Sequence, residues 1–267
     1  MQRTPEGQAR EGRLARGGPG CYPRTRMKDR FEVLVLVARP AAGKSEVIDY
    51  LRRTPEAERL GRFHVGRFRE IDDFPMLWAW FEEDRILEEM GLGRLHTDAQ
   101  GYFVRRELWD LLVRRIALDY RKLLAEDPRL HEHTTAVFEF SRGSEHGGYR
   151  AAFAAIEPEV LSRAAVLYID VSYMESLRKN RRRFNPARAH SILEHGLPDE
   201  KMERLYRETD WHELAAPDPE YLHLQGVRVP YAVMPNEDDV TTGRGESLGL
   251  RLEETLDRLW RLWERRG

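Results

Sequence analysis

The 267-residue chain has one cysteine, Cys21. That excludes an intramolecular disulfide and a cysteine metal cluster. No apolar run approaches the ~20 residues a membrane-spanning helix needs. The basic N-terminus lacks the apolar stretch of a secretory signal, so the expected location is the cytoplasm. Net charge is nearly absent as well, with 44 Lys+Arg against 46 Asp+Glu. The balance hides an asymmetry: residues 1–30 carry +5 and the remainder −7. A last absence is more local. The phosphate-binding pattern GxxxxGK[ST] ends in Gly43-Lys44-Ser45, yet Ala38 stands where its first glycine belongs.

Residues 1–26 are rich in Arg, Gly and Pro and show no hydrophobic period. Such a segment buries too little surface to offset its ordering entropy. We expect a disordered tail, with Met27 as the natural start of the chain. Residues 27–267 are expected to form one domain. Within it, "FEVLVLVA" (31–38) is a continuous, β-branched-rich apolar run, the mark of a strand buried on both faces. Further strands are expected at 62–68, 134–140, 164–171 and 227–234, the last at a sheet edge because of its proline. Helical patterns lie between them, and an amphipathic helix closes the chain from about Glu246 to Glu264. The alternation implies an α/β fold with a parallel sheet covered on both faces. Residues 72–133 read as a helical, aromatic-rich insertion after the second strand, with at least two of Trp78, Trp80 and Phe81 in the core.

A phosphate loop works through inward-pointing N–H groups at a helix N-terminus, a lysine point charge and a hydroxyl for Mg²⁺. Lys44 and Ser45 supply the last two. The strand before and the helix after provide the context the motif requires. Compared with GxPGxGK, Pro40, Gly43 and Lys44 match, while Ala38 and Ala41 replace glycines. Glu139, at the carboxyl end of an apolar strand, is a candidate Mg²⁺ ligand with Ser45, and Arg142 a candidate phosphate contact. Ser172 and Glu175 fit a capping box. The helix behind them carries Arg178, Lys179, Arg181, Arg182 and Arg183, a cluster that needs anions to meet it.

These residues resemble the nucleoside/nucleotide-kinase branch of the P-loop NTPases, over about residues 28–264. The resemblance implies a three-layer fold with a sheet of about five strands in the order 2-3-1-4-5. It implies ATP and Mg²⁺ as cofactors. Pro40, Ala41, Ala42, Gly43, Lys44, Ser45, Glu46 and Arg181 would contact the nucleotide, and Asn236 its purine. It also implies a lid over 172–210 whose Arg178, Arg181 and Arg182 close on the transferred phosphate. "EFSR" is similar to the family's E-R-S element. The acceptor-binding acid is implied just after strand 2, as Asp72 or Asp73, with Arg69 as a further contact. Trp78, His96 and Arg105 in the insertion are candidate acceptor contacts. The expected function is transfer of the γ-phosphate of ATP to a small acceptor such as a nucleoside or nucleotide. The alternatives are a nucleotide-binding regulator or slow ATPase with a macromolecular partner, and a polynucleotide-end kinase.

Overall fold

The computed structural model describes residues 29–183 and 196–266. The expected tail over 1–26, the start at Met27 and the middle of the 172–210 lid lie outside the described residues. In chain order the elements are β1 (Val33–Ala38), α1 (Lys44–Arg53), α2 (Glu56–Phe63), β2 (Arg67–Asp72), α3 (Phe74–Glu89), α4 (Glu107–Glu126), β3 (Thr134–Phe140), α5 (Gly148–Ala154), α6 (Pro158–Leu161), β4 (Ala164–Asp170), α7 (Tyr173–Arg183), α8 (Asp199–Tyr206), α9 (Trp211–Ala215), β5 (Tyr221–Leu224), β6 (Val227–Pro235), α10 (Val240–Gly243) and α11 (Glu246–Glu264).

Every residue of β1 is buried, as its unbroken apolar run requires. Strand alternation divides that burial between two layers. Val33, Val35 and Val37 pack with Tyr120, Phe138, Tyr168 and Trp211. Leu34, Leu36 and Ala38 pack with α1 and with the stripe Leu248, Leu252, Leu256 and Leu259 of α11. The sheet therefore has helices on both faces. β1 sits centrally, paired in parallel with β3 and with β4.

The sheet has six strands, in the order β2-β3-β1-β4-β6-β5, against the expected five in the order 2-3-1-4-5. The added strand is β5, the one antiparallel member. Gln225 and Gly226 join β5 to β6, both at positive φ (49° and 80°). That is the backbone of a two-residue hairpin turn. It also moves β6 off the edge. Pro230 is tolerated there because it pairs only with Tyr221 of β5; the β4 register begins one residue later, at Tyr231.

The second strand also needs correcting. Arg62 and Phe63 end α2, and β2 begins at Arg67. β2 is an edge strand with mostly polar side chains, so it lacks the apolar signal of the central strands. The shift has a functional consequence: Asp72 is the last residue of β2, in register with Glu139 of β3. Between β2 and β3 the main elements are α3 and α4, and Asp72, where the insertion was expected to begin, belongs to β2. Of the insertion's three aromatic candidates only Trp80 is buried; Trp78 and Phe81 line a cavity. The capping box at α7 is half formed. Ser172 Oγ accepts from Glu175 N–H at 3.1 Å, but the Glu175 carboxylate turns to Arg178.

Candidate functional site

The 39–43 loop leaves β1 at the carboxyl edge of the sheet, where open α/β sheets carry their ligand sites. Ala38 is still a strand residue, in register with Ile169 and fully buried. Its φ is not positive, so this position does not call for glycine. The left-handed turn falls on Ala41 (φ 54°) and Gly43 (φ 115°). At Ala41 this conformation costs roughly 1–2 kcal/mol. At Gly43 a side chain is impossible as well as strained, since a Cβ would lie 2.6 Å from Thr241 Oγ1.

Neighbouring segments over-determine the loop and so hold the strain. Ser176 Oγ donates to Pro40 O at 2.7 Å, and Asn236 Nδ2 to Ala42 O at 2.8 Å. The Arg39 guanidinium donates to the carbonyls of Val171, Tyr206 and Arg207. Asn236 is fully buried and is not among the cavity-lining residues. Its amide braces the loop, where a purine contact was expected.

α1 opens directly from Gly43. Its first intrahelical bond runs from Val47 N–H to Gly43 O, so the N–H groups of Lys44, Ser45 and Glu46 have no intrahelical acceptor. Lys44 is buried; its Nζ donates to Ser141 Oγ at 2.6 Å and lies 3.8 Å from Glu139 Oε1. Ser45 and Glu46 line the same cavity.

Facing Lys44 are three carboxylates, Glu70, Asp72 and Glu139, with ligand oxygens within 4.8 Å of one another. Period-2 alternation puts Glu70 and Asp72 on one side of β2, and the β2–β3 register brings Glu139 alongside. Burial, then the negative charges of Glu139 and Asp73, push the Asp72 carboxyl well above the usual range. Burial also raises Glu139; Lys44 opposes this, and Glu70 and Asp73 reinforce it. The two adjacent acids have different partners. Asp72 accepts from Phe74 N–H and otherwise faces the Lys44 end. Asp73 is the counterion of Arg142, at 2.7 Å.

Arg142 is 1% exposed. Besides Asp73 it donates to Ser141 O and Trp109 O, and it stacks over the Trp109 and Phe140 rings. It is held in the cavity floor by these contacts. The α7 arginines also find protein partners. Arg178 pairs with Glu175 and Asp239, Arg182 with Asp239, and Arg181 with Asp199. None of these three lines the cavity; Asn180 and Arg183 of the same helix do. The anions expected to meet the cluster are supplied by the protein itself.

The cavity has a volume of about 1110 Å³. That is at the upper end for a single drug-sized ligand, leaving room for two reactants. It runs from the 39–43 loop past the three carboxylates to an aromatic end formed by α3, the loop before α4, and α8. Trp78 lines it and donates Nε1–H to Glu82. Three other candidates lie elsewhere. Arg69 is exposed and falls on the opposite side of β2 from Glu70 and Asp72. His96 stacks on Trp80 at 5.0 Å and pairs with Glu83. Arg105 is exposed outside the cavity; the next residue, Arg106, lines it.

Sequence reasoning missed Glu70, Ser141, Tyr102 and Lys201. Glu70 carried a usable signal, two residues before Asp72 in a strand; the others carried none before the topology was known. No family model matches the chain, and no curated protein matches it.

Proposed function

We propose that this protein transfers the γ-phosphate of ATP to a small acceptor hydroxyl, using a three-layer P-loop architecture. One observation carries the reading. Lys44, Ser45 and the open N–H groups of α1 face Asp72 and Glu139 across a single cavity.

The donor phosphates meet the α1 N-terminus and Lys44 Nζ, which exchanges its bond to Ser141 for phosphate oxygens. Ser45 and Glu139, with Glu70 alongside, would hold Mg²⁺. The fit rests on the donor set: the ligand oxygens of Glu70, Asp72 and Glu139 lie within 4.8 Å of one another, and burial followed by their mutual charge raises the proton affinity of Asp72 and Glu139. When bound, the cation offsets charge on the phosphate oxygens. Asp72 acts as the base. In register with Glu139 at the end of β2, it takes the acceptor hydroxyl's proton. Asp73 holds Arg142 and thereby the floor under the acceptor. The aromatic end of the cavity holds the acceptor body, with Trp78 at its rim.

The test is ATP turnover with and without a nucleoside and nucleotide panel, in intact protein and in Lys44→Ala. Stimulation by one small acceptor, lost in the variant, supports the reading. Undiminished turnover by Lys44→Ala rejects it.

A second reading is a nucleotide-binding regulator. It is favoured by one observation: Asp239 and Asp199 engage the α7 arginines that a kinase lid would direct at phosphate. Nucleotide binding with no acceptor-stimulated turnover would select it.

A further inference from the structure

Apart from Lys44 and Arg183, the cations lining the cavity fall into two groups. Arg52, Arg142, Arg204 and Arg244 each meet a carboxylate, respectively Glu70, Asp73, Glu145 and Asp49. Lys201 and Arg106 have no carboxylate partner among the described residues. Lys201 donates to Gly101 O at 3.1 Å and lies over the rings of Tyr102 (5.1 Å) and Phe81 (6.0 Å). Burial pushes its ammonium pKa down. The acid that most opposes this is Asp98, and its Oδ1 already accepts the N–H groups of Gln100 and Tyr102.

The backbone makes room for both cations. At Gly101 (φ 75°) a Cβ would lie 2.6 Å from Lys201 Nζ. At Gly147 (φ 88°) a Cβ would lie 2.7 Å from Arg106 Nη1. Two left-handed glycines thus seat two cations at the α8 end of the cavity. Lys201 is partly buried, and a partly buried cation without a counterion is costly unless a ligand completes it; Arg106 is exposed and adds its charge from the cavity wall.

We propose that the acceptor is a planar alcohol bearing an anionic group, a carboxylate or a phosphate, which Lys201 and Arg106 bind at the α8 end of the cavity. The proposal rests on the phosphoryl-transfer reading for the role of the hydroxyl. Phe74, Trp78, Phe81 and Phe103 bring aromatic rings to the cavity wall, against which a planar ring can pack. Asp72 separates the two ends of the ligand. A phosphate oxygen presented there as nucleophile would be repelled by the carboxylates and would need no base, whereas a hydroxyl needs one. The anion therefore lies on the acceptor away from its reacting hydroxyl. Arginine and lysine suit carboxylate and phosphate alike. A neutral nucleoside would leave the partly buried Lys201 unmatched.

The experiment uses three probes that share a ring and a free hydroxymethyl group: 4-(hydroxymethyl)benzyl alcohol, 4-(hydroxymethyl)benzoate and 4-(hydroxymethyl)phenyl phosphate. Binding to the full chain is measured by calorimetry without nucleotide, and ATP binding is measured separately. At least one anionic probe is expected to bind about tenfold or more tightly than the neutral one, a ratio set by a charge-assisted pair. Which anion binds better identifies the source. Lys201→Gln and Arg106→Gln should each erode that ratio without changing the neutral probe's affinity, and Arg106→Lys should restore part of it. Equal binding of the three probes, no binding by any, or equal losses for neutral and anionic probes in the variants overturns the proposal. A 5′-hydroxyl oligonucleotide that displaces the anionic probes and binds more tightly than either also overturns it. Failure of ATP to bind, with the anion preference intact, faults the phosphoryl-transfer reading and not the anion site.

Discussion

The two ends of the cavity are built in opposite ways. At the phosphate-loop end, a short stretch of backbone is held by side chains that hydrogen-bond to main-chain carbonyls. Asn236, Ser176 and Arg39 fix the carbonyls and course of a loop only a few residues long. At the acceptor end, side chains do the work. Aromatic rings stack across α3, α4 and the loop between them, and one fully buried carboxylate, Asp84, anchors that loop. Its oxygens accept the N–H groups of Leu95, His96 and Thr97 and the Thr97 hydroxyl. A braced backbone suits an invariant ligand such as a polyphosphate. A wall of side chains can be re-cut for a particular acceptor without disturbing the other end.

The largest expected break in this comparison is Lys44→Ala. Turnover should fall by about 10²–10³-fold or more, the scale of removing one preorganised charge from a phosphoryl-transfer site. The melting temperature should stay close to that of the intact protein. Next comes Asp72→Asn, which should slow turnover by roughly 10²-fold with nucleotide affinity retained, the lower end of the effect of losing a general base. Asp73→Asn should act differently. It leaves Arg142 buried without its counterion and should lower stability by about 3–5 kcal/mol in a denaturant titration. If Asp73→Asn instead retains stability and loses turnover, the roles of the two acids are reversed.

Asp72 also predicts a pH dependence. Its native pKa lies above the unfolded value, as does that of Glu139. The native state thus keeps protons that the unfolded chain releases. Stability of the metal-free protein should fall as pH rises from the ordinary carboxylate value of about 4 through neutrality, then level off. Added Mg²⁺ should reduce that fall, and Asp72→Asn should flatten part of it.

The acceptor end is probed by Asp84→Ala, expected to cost about 2–4 kcal/mol because several buried donors lose their acceptor. Acceptor binding should weaken while ATP binding holds. Asp84 has the opposite pH sense to Asp72. Burial pushes its carboxyl up, but the Thr97 hydroxyl and the three amides hold it at about 2. Its contribution is therefore present above the ordinary carboxylate value and is lost as pH falls from about 4 toward 2. The smallest effect is expected for Ala41→Gly. Relief of the left-handed alanine, offset by the glycine's greater unfolded-state entropy, should change stability by about 1 kcal/mol or less.

The two ends also differed in how far they could be read from sequence. The phosphate-loop end is local in the chain. Strand, loop and helix follow one another, so "LVLVARPAAGKSE" already contains its geometry. Even the missing first glycine had a simple resolution, because Ala38 ends a strand and never turns. The acceptor end is assembled from residues 70–109, 139–146 and 197–206, and its membership depends on register and topology. Glu70 was passed over because the strand was expected to end at residue 68; with β2 running to Asp72, alternation back from Asp72 selects Glu70 and not Arg69. Arg105 was named and Arg106 was not, because nothing in the sequence tells which of two adjacent arginines borders the cavity. The α7 arginines suggested phosphate because their counterions, Asp199 and Asp239, lie 18 or more residues away in the chain. β5 was passed over because it is short, although Gln225-Gly226 between two apolar segments is a hairpin signal.

The central claim is that a loop with alanine at positions 38 and 41 is a working polyphosphate site. Calorimetric titration of the intact protein and of Lys44→Ala with a non-hydrolysable ATP analogue in Mg²⁺ tests it most directly. The account predicts saturable one-to-one binding that weakens about a hundredfold or more in Lys44→Ala, with melting temperatures of the two free proteins closely matched. Equal affinity in both proteins, or no binding by the intact one, would contradict it.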